Sequence, residues 1–410
     1  MRRKELLSSF VTVIQKGYKQ YKYLYRQMLQ KFIIRKAYKK LRKGKTKRKE
    51  IQYIDANLDD EVDKMQLMIL NTKPEGVKVD HPELAYRPKK RTPKYIKEHG
   101  KIRKIYMPEI HEQWLHHIIM VVLEPIIMAT AYKYSCGSFP KRGAHYGKRI
   151  ITKWIRSGKN IRSFAKADIR HFYDNIRHDV LMKELSIRIK DDWFLYIISL
   201  CFDGFIKGIA LGFYISQWLA NYLLEPLDKF VTETLGIKKY VRYVDDIILF
   251  DDNKKKLQDA IIEIKKMLGR RFRLKLKNNY QICKFIFKKK NGKLIGRPLN
   301  FMGFVFYRER VIIRKHIMLS ATRTAQRLKN AKAKGYGYYE GHIRKMISYI
   351  GWFSHSNTYG CYENKIKPCV DIGKLKKIIG KIDRRRNKNE AMERRTTGNT
   401  SGGATAYSTA

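Results

Sequence analysis

Carboxylates in two separate segments of the chain could bind metal ions. The segment KKYVRYVDDIILFDD (238–252) sets Asp245 and Asp246 between apolar runs, which predicts a hairpin whose turn carries the Asp pair. Upstream, FAKADIRHFYDNI (164–176) predicts a strand that ends at Asp168. Like charges beside buried strands are costly unless a cation neutralises them, and Mg²⁺ prefers carboxylate oxygens. Asp245 and Asp246 alone would fit an ordinary turn; together with Asp168 they predict a pair of Mg²⁺ ions that supports in-line phosphoryl transfer.

The charge balance of the chain indicates its partner. The 410 residues include 89 Lys and Arg against 37 Asp and Glu, a formal net charge of +52. So large an excess repels itself in a compact chain, which favours nucleic acid as the partner, with an anionic membrane surface as the alternative. The hydrophobic content of 44% is enough for a buried core and argues against disorder over most of the chain.

Neither cysteine chemistry nor a membrane span is expected. The five cysteines are scattered without a CxxC pair, so neither a zinc site nor a disulfide framework is predicted. The N-terminal segment lacks the pattern of a signal peptide, and no uncharged apolar stretch is long enough to cross a bilayer. We therefore expect a soluble, cytoplasmic protein with no membrane partner.

Hydrophobic periodicity predicts the elements that position the carboxylates. Strands are predicted at Ile102–Met107, Ser163–Asp168, Tyr240–Arg242, Ile247–Asp251 and Val311–Arg314. Helices are predicted at Glu112–Thr130, Ile150–Ser157, His178–Ile189, Ser216–Leu235, Lys254–Gly269, His316–Ala333 and Gly341–Ser354. The acidic residues would therefore lie at the ends of strands that alternate with helices.

Both ends of the chain have a distinct composition. Apolar residues recur at helical spacing from Phe10 to Phe32 within a strongly basic segment, which predicts a long amphipathic helix followed by a basic turn at Lys43–Lys49. This helix would pack its apolar stripe on the body of the protein, grip RNA or an accessory subunit, or do both. A proline-punctuated connector with a short helix is predicted over 51–95, and a disordered tail over 383–410.

Several blocks of the sequence resemble, in order, the motifs of reverse transcriptases. ADIRHFYDNI and YVDD resemble motifs A and C of that family, and the further matching blocks are GKIRKIYMP (100–108), EQWLHHIIMVVLEPII (112–127), SCGSFPKRGAHYGKRIITKWI (135–155), LKLKNNYQI (274–282) and LNFMGFVF (299–306). The resemblance implies an α+β right-hand polymerase fold. Its expected parts are a basic helical N-terminal extension and connector (1–95), fingers (96–165), a palm of antiparallel sheet and helices (166–310) and a helical thumb (311–382).

The resemblance also implies roles for the residues of motifs A and C. Asp168 and Asp245, helped by the carbonyl of Ile169, would hold two Mg²⁺ ions, and Asp246 would complete the catalytic triad. Tyr173 falls at the steric-gate position, where an aromatic ring excludes a 2′-hydroxyl and selects dNTPs. The alternative for Tyr173 is a core aromatic behind the strand.

Further roles follow for residues outside these two motifs. Arg103 and Lys101 would bind the triphosphate of the dNTP, since guanidinium binds phosphate oxygens bidentately. Lys277, in the block that resembles motif D, is a candidate general acid toward pyrophosphate. Arg142 and Gly303, the latter in the block that resembles the primer grip, are expected at the template and primer.

Motif B departs from the pattern of most reverse transcriptases. It reads ALGFYISQWLAN (210–221), which resembles the form found in diversity-generating retroelements, as does the thumb segment ISYIGWFSHSNTYG (347–360). Gln217 would then lie beside the incoming dNTP and the template base, and Ser216 near the template. Ser216 would also suit the N-cap of the following helix.

The resemblance implies an RNA-directed DNA polymerase that copies a template RNA into adenine-mutagenised cDNA. Its partners would be template RNA, a primer, dNTPs and a small, basic, oligomeric accessory protein, in a bacterial or phage context. The alternatives are a group II intron-like or phage-defence reverse transcriptase, and a non-enzymatic RNA-binding scaffold. The complete triad counts against the scaffold, and Tyr173 and Val244 disfavour an RNA-dependent RNA polymerase.

Overall fold

The computed structural model describes residues 19–89, 91–98, 101–158, 161–289 and 291–398. The chain divides into two compact units, unit 1 (Met1–Phe285) and unit 2 (Ile286–Ala410). The predicted boundary between palm and thumb was residue 311, whereas the structural division comes earlier, so the strands of the primer-grip block group with the helices that follow them.

The described part of unit 1 begins with helices that belong to its core. They are α1 Leu24–Met28, α2 Lys31–Arg42, α3 Lys49–Ala56 and α4 Leu58–Asn71. The apolar face of α2 packs on α5 (Ile110–Met128), where the indole N–H of Trp114 donates to the carbonyl of Ile34 at 2.9 Å. Of the predicted apolar stripe, Tyr25 and Met28 on α1 are buried in this core, whereas Phe32 on α2 is 63% exposed, so packing on the body is found for the α1 part of the stripe.

The prediction of one long N-terminal helix is wrong in the described part of that segment. Tyr21 lies in a parallel bridge with Ile189, Tyr23 has a left-handed backbone, and α1 and α2 are separate helices. Residues 1–18 of the predicted helix lie outside the described residues. The connector carries two helices, α3 and α4, where one was predicted.

The next part of unit 1 contains a hairpin and two longer helices. Strands β1 Pro93–Glu98 and β2 Lys101–Tyr106 pair antiparallel. The helix α5 follows, and then α6, Ala144–Ser157, which ends where Gly158 takes a left-handed conformation with φ 69°. This is the region where the fingers were predicted.

A four-stranded antiparallel sheet, which we call the palm sheet, positions the carboxylates. Its strands are β3 Ser163–Asp168, β4 Lys239–Tyr243, β5 Asp246–Asp251 and β6 Gln281–Lys284, in the order β4-β5-β3-β6. The helices around it are α7 Phe172–Asn175, α8 His178–Ser186, α9 Asp192–Leu200, α10 Tyr214–Leu223, α11 Glu225–Lys229 with a π-helical turn Phe230–Thr234, and α12 Lys254–Phe272. Because α12 packs across β3, β5 and β6, the inner strands β3 and β5 are largely buried, and β5 contains the continuous apolar run IILF.

Unit 2 combines small sheets with helices. Strands β7 Phe287–Lys288 and β8 Leu294–Ile295 form a hairpin, and β9 Leu299–Phe301, β10 Phe304–Phe306 and β11 Val311–Ile313 form a sheet of order β11-β10-β9. The helices are α13 Lys315–Ala333, α14 Glu340–Ser354, α15 Tyr359–Cys361 with a π-helical turn Tyr362–Ile366, and α16 Ile372–Gly398. The prediction of a disordered tail from residue 383 is wrong as far as Gly398, and residues 399–410 lie outside the described part.

Among the described helices, none is both long enough and apolar enough to cross a bilayer. The prediction of mixed helix and antiparallel sheet is confirmed by the element order of both units.

Candidate active site

The three predicted carboxylates meet at one end of the palm sheet. Strand β3 pairs with β5 so that Asp168 stands directly opposite Asp246. The N–H of Ile169 donates to the carbonyl of Asp245 at 3.2 Å, which continues this pairing into the turn between β4 and β5. Opposed residues of an antiparallel pair have Cα atoms about 4.5–5.5 Å apart. Side chains from distant parts of the sequence are therefore close enough to share cations.

The turn that carries Asp245 is held in a strained conformation. Val244 has φ 57°, in the left-handed region, which costs a residue with a branched Cβ about 1–2 kcal/mol. The guanidinium of Arg242 donates to the carbonyl of Val244 at 2.9 Å. Gly137 lies against the same residue, and a Cβ on Gly137 would come within 2.3 Å of a methyl of Val244. These contacts fix the turn and hence the backbone of Asp245.

A buried polar network lies beneath the turn. The guanidinium of Arg242 binds both oxygens of Asp228 at 2.7 Å, and both residues are 1% exposed. Its remaining terminal nitrogen also donates to the amide oxygen of Asn221 at 2.9 Å, and the hydroxyl of Tyr240 donates to Asp228 at 2.7 Å. Asn221 in turn donates to the carbonyl of Gly137 at 2.9 Å. The network joins α10, α11 and β4 to the turn, and sequence reasoning missed it, although an arginine inside an apolar strand is a signal of such a partner.

Lys277 is drawn into the carboxylate cluster. The side-chain ammonium of Lys277 lies 2.6 Å from one carboxylate oxygen of Asp168, and the backbone N–H of Lys277 donates to the backbone carbonyl of Asp168 at 2.8 Å. Burial, with added repulsion from Asp168 and Asp246, raises the pKa of Asp245 from 3.8 to about 6. The negative charges of Asp168 and Asp246 therefore act on Asp245 more strongly than the ammonium of Lys277 offsets them.

The cluster fits a divalent cation by its donor chemistry. The second oxygen of Asp168 is buried and has no hydrogen-bond partner, and a carboxylate oxygen left in this way is a ready cation ligand. Within the described ranges, no three His, Cys, Asp or Glu side chains are already arranged as a metal cage. Binding would thus require the carboxylates to turn toward a common point, with Asp168 and Asp245 as the principal ligands. The role of Ile169, itself buried, stays a prediction.

The hydroxyl of Tyr173 is influenced by charges on both the carboxylate cluster and the β1–β2 hairpin. Burial and the negative charge of Asp245 raise the pKa of its hydroxyl, while the positive charge of Arg103 lowers it. The carbonyl of Tyr173 accepts the N–H of Ile209 at 2.9 Å, which anchors α7 to the loop before α10. The half-buried ring of Tyr173 thus lies within the electrostatic reach of both Asp245 and Arg103, and its role as a gate stays a prediction.

The loop before α10 is anchored to the hairpin. The N–H of Tyr106 donates to the carbonyl of Leu211 at 2.7 Å, and a Cβ on Gly212 would come within 2.2 Å of the carbonyl oxygen of Tyr106. With φ 104°, Gly212 has a conformation that other residues rarely adopt. Gln217 lies exposed on α10, which this loop leads into.

Of the other predicted site residues, Ser216 is buried in the core and Arg142 is bonded within the protein. Ser216 is 1% exposed and lies inside α10, whose N-cap is Phe213, so the capping interpretation is wrong and a direct template contact by this side chain is not supported. Arg142 donates to the carbonyl of Tyr132 at 3.0 Å, within its own loop. The backbone of Lys101 belongs to β2, and its side chain lies outside the described residues.

Gly303 has a structural reason to be glycine. It sits in the turn between β9 and β10 of unit 2 with φ 83°, and a Cβ there would come within 2.5 Å of the ring of Trp352. The predicted contact of Gly303 with the primer stays a prediction.

An antiparallel sheet with carboxylates at the adjoining ends of its central strands is typical of a nucleic-acid polymerase palm. The chain belongs to the reverse transcriptase (RNA-dependent DNA polymerase) family, whose pattern it matches over residues 88–305, more than half of its length. The predicted right-hand polymerase fold is thereby confirmed. The matched residues include the β1–β2 hairpin and all four strands of the palm sheet.

Individual relatives match a shorter part. The chain is 24% identical over 149 residues to protein YkfC of Escherichia coli K12, which is 33% of this chain and 39% of that protein. It is 27% identical over 147 residues to the group II intron-encoded protein LtrA of Lactococcus lactis, which is 33% of this chain and 24% of LtrA. The matches thus span well under half the length of either relative.

Among solved structures, the chain is similar to apo telomerase from Candida tropicalis, with a TM-score of 0.45 and 13% identity over 65% of this chain and 53% of that one. It is also similar to telomerase from Candida albicans in complex with a TWJ fragment of telomeric RNA, with a TM-score of 0.41 and 12% identity over 68% and 55% of the two chains.

Proposed function

We propose that this chain is an RNA-directed DNA polymerase that extends a primer with dNTPs by two-metal nucleotidyl transfer. The observation that carries the proposal is the pairing of β3 with β5, which sets Asp168 opposite Asp246 and beside Asp245. The net charge of +52 supports nucleic acid as the partner, here a template RNA and its growing cDNA.

In the proposed reaction, the primer 3′-hydroxyl attacks the α-phosphorus of the dNTP and loses its proton to solvent water, and the bond to pyrophosphate breaks as the new P–O bond forms. Bound Mg²⁺ would lower the pKa of the hydroxyl and stabilise the charge on the leaving pyrophosphate. Asp168 and Asp245 would hold the ions, and Asp246 would add negative charge beside them. The exposed Arg103 on β2 would bind the triphosphate.

We propose that Lys277 acts at the leaving group. Its ammonium lies 2.6 Å from Asp168, so it is already within the carboxylate cluster. A proton donated from this Nζ to the departing pyrophosphate would neutralise charge that develops there. The ring of Tyr173 would exclude a ribose 2′-hydroxyl and so favour dNTPs over NTPs.

The sequence of motif B supports the diversity-generating type in particular. We propose that Gln217, exposed at the start of α10, contacts the base pair being formed and permits errors at template adenines. A small, basic, oligomeric accessory protein would complete this system. The similarity to LtrA favours a group II intron-like enzyme as the second candidate.

Single-dNTP extension of a DNA primer on a defined RNA template tests the polymerase proposal. Asp245→Asn should abolish incorporation, because the substitution removes a ligand charge, while RNA affinity stays near that of the wild type. The matched control is Asp259→Asn, which replaces an exposed aspartate on α12. This variant should incorporate the dNTP at the wild-type rate. Incorporation by Asp245→Asn at the wild-type rate would contradict the proposal.

The subtype is tested by sequencing long cDNA products. Gln217→Ala should change the rate of misincorporation at template adenines more than at the other template bases. An unchanged error spectrum would argue against a role of Gln217 in fidelity and favour the group II intron-like candidate.

A further inference from the structure

A cavity in unit 1 is lined by residues that the proposed reaction does not use. It has a volume of about 270 Å³ and lies between residues 22–26 and residues 190–193. Its wall combines aromatic rings, cations and two carboxylates, contributed by Tyr23, Trp193, Lys22, Arg26, Lys190, Asp191 and Asp192. None of the carboxylates at the end of the palm sheet lines it.

Backbone hydrogen bonds form this cavity before any ligand binds. The N–H of Tyr21 donates to the carbonyl of Arg188, and the N–H of Lys190 donates to the carbonyl of Tyr21, both at 2.8 Å. The N–H of Tyr25 donates to Asp191 at 2.9 Å, and Asp191 also caps α9 by accepting the N–H of Phe194. The two walls are therefore joined on one side of the cavity, and Asp191 is occupied by structural bonds.

Two aromatic residues of the wall are exposed to solvent. The side chain of Tyr23 is 64% exposed, and that of Trp193 is 38% exposed. Tyr23 also has φ 61°, a left-handed conformation that is uncommon for an aromatic residue and that recurs at ligand-binding positions. Cations already lie over both rings, Arg26 at 5.5 Å from the centre of Tyr23 and Lys73 at 4.9 Å from that of Trp193.

We propose that this cavity binds an unpaired nucleobase of single-stranded RNA. Tyr23 and Trp193 would stack on the base, since every nucleobase has a π-face, and Lys22, Arg26 and Lys190 would contact the flanking phosphates. The exposed carboxylate of Asp192 would accept an N–H of the base or a ribose hydroxyl. A carboxylate at this position disfavours a free phosphate as the main ligand.

The size of the cavity limits its occupant. Drug-sized ligands occupy pockets of about 300–1,000 Å³, so this smaller volume suits one base and its sugar. Bases within a duplex present their faces to one another and cannot enter. The site would thus hold single-stranded RNA outside the catalytic cluster, and it goes beyond the proposed reaction because it uses none of the residues of that reaction.

Crosslinking and affinity measurements on the full chain test the proposal. A short, unstructured RNA containing 4-thiouridine should crosslink to peptides that contain Tyr23 or Trp193, and the same RNA in a duplex should not. In fluorescence anisotropy with this RNA, Tyr23→Ala should weaken binding roughly 5- to 150-fold, as the loss of one stacked base predicts, and Tyr23→Phe should restore it. Tyr53→Ala, which removes another exposed tyrosine, is the matched control and should bind like the wild type.

Each contrary result has a defined meaning. Crosslinks that avoid both peptides, together with unchanged affinity in Tyr23→Ala, would overturn the proposal. Affinities for adenosine monophosphate and for the RNA can be measured by quenching of tryptophan fluorescence. If the two affinities are equal and the quenching by adenosine monophosphate is lost in Trp193→Phe, the occupant is a free nucleotide and the RNA assignment is overturned. Primer extension on saturating template by Tyr23→Ala should equal that of the wild type, so failure here leaves the polymerase proposal intact.

Discussion

The buried pair of Arg242 and Asp228 gives a prediction in which stability and activity separate. Both residues are 1% exposed, and the guanidinium binds both carboxylate oxygens at 2.7 Å. Arg242→Met leaves the charge of Asp228 buried without its partner, which costs about 3–5 kcal/mol of unfolding free energy. Urea unfolding followed by circular dichroism measures this loss.

The double variant Arg242→Met/Asp228→Leu removes both charges. Because replacement of a whole buried ion pair by apolar side chains is often nearly neutral, most of the lost stability should return. Primer extension should not return, because the carbonyl of Val244 still lacks the donor that lies 2.9 Å away in the wild type. A hydrogen bond from a charged donor contributes about 1.5–3 kcal/mol, comparable to the strain of the left-handed Val244.

Two outcomes would refute this reasoning. If Arg242→Met loses less than about 1 kcal/mol, Asp228 is not a stranded buried charge in the variant. If the double variant recovers both stability and wild-type extension, the bond to the turn does not position Asp245.

Other expected outcomes concern the same site and unit 2. The pKa of the Asp245 carboxyl is raised from 3.8 to about 6, so the folded state loses stability as pH rises through this window. In EDTA, Asp245→Asn should therefore be more stable than the wild type by about 3 kcal/mol above pH 6, with no difference below pH 4. A difference in urea midpoints that does not change with pH would contradict this expectation. Gly137→Ala places a Cβ 2.3 Å from a methyl of Val244 and should reduce primer extension sharply. Gly143→Ala, whose Cβ would have no atom within 4 Å, should extend the primer like the wild type. Equal extension by both variants would count against the role of Gly137 in fixing the turn. Gly303 has φ 83°, and the Cβ of Gly303→Ala would lie 2.5 Å from the ring of Trp352 in α14. This variant should destabilise unit 2 by about 1–3 kcal/mol in thermal unfolding. Gly351→Ala, whose Cβ would have open space around it, should unfold like the wild type.

Elements with a local signal were predicted well from the sequence. The strand Ser163–Asp168 has its predicted bounds, and α12 begins at the predicted Lys254, where Asn253 caps it. These segments have clear periodicity and clear end signals. The predicted helix Ser216–Leu235 is interrupted after Leu223, because Pro226 starts a new helix there.

What failed depends on contacts between distant residues. The N-terminal periodicity was helical, yet Tyr21 pairs with Ile189, and no local pattern shows that partner. The carboxylates were found because each ends an apolar run, whereas Asp228 and Asn221 are ordinary helix residues until the fold brings Arg242 between them. The burial of Ser216 follows from how α10 packs on α5 and could not be read from motif B.

The most direct measurement of the central claim is the number of divalent ions held by the carboxylates. Mn²⁺ can be counted by electron paramagnetic resonance on the full chain with a primed RNA and a non-hydrolysable dNTP. We predict two ions per ternary complex in the wild type and a loss of binding in Asp168→Asn, with Asp259→Asn unchanged. Equal Mn²⁺ binding by the wild type and Asp168→Asn would contradict the assignment of this cluster as the catalytic metal centre.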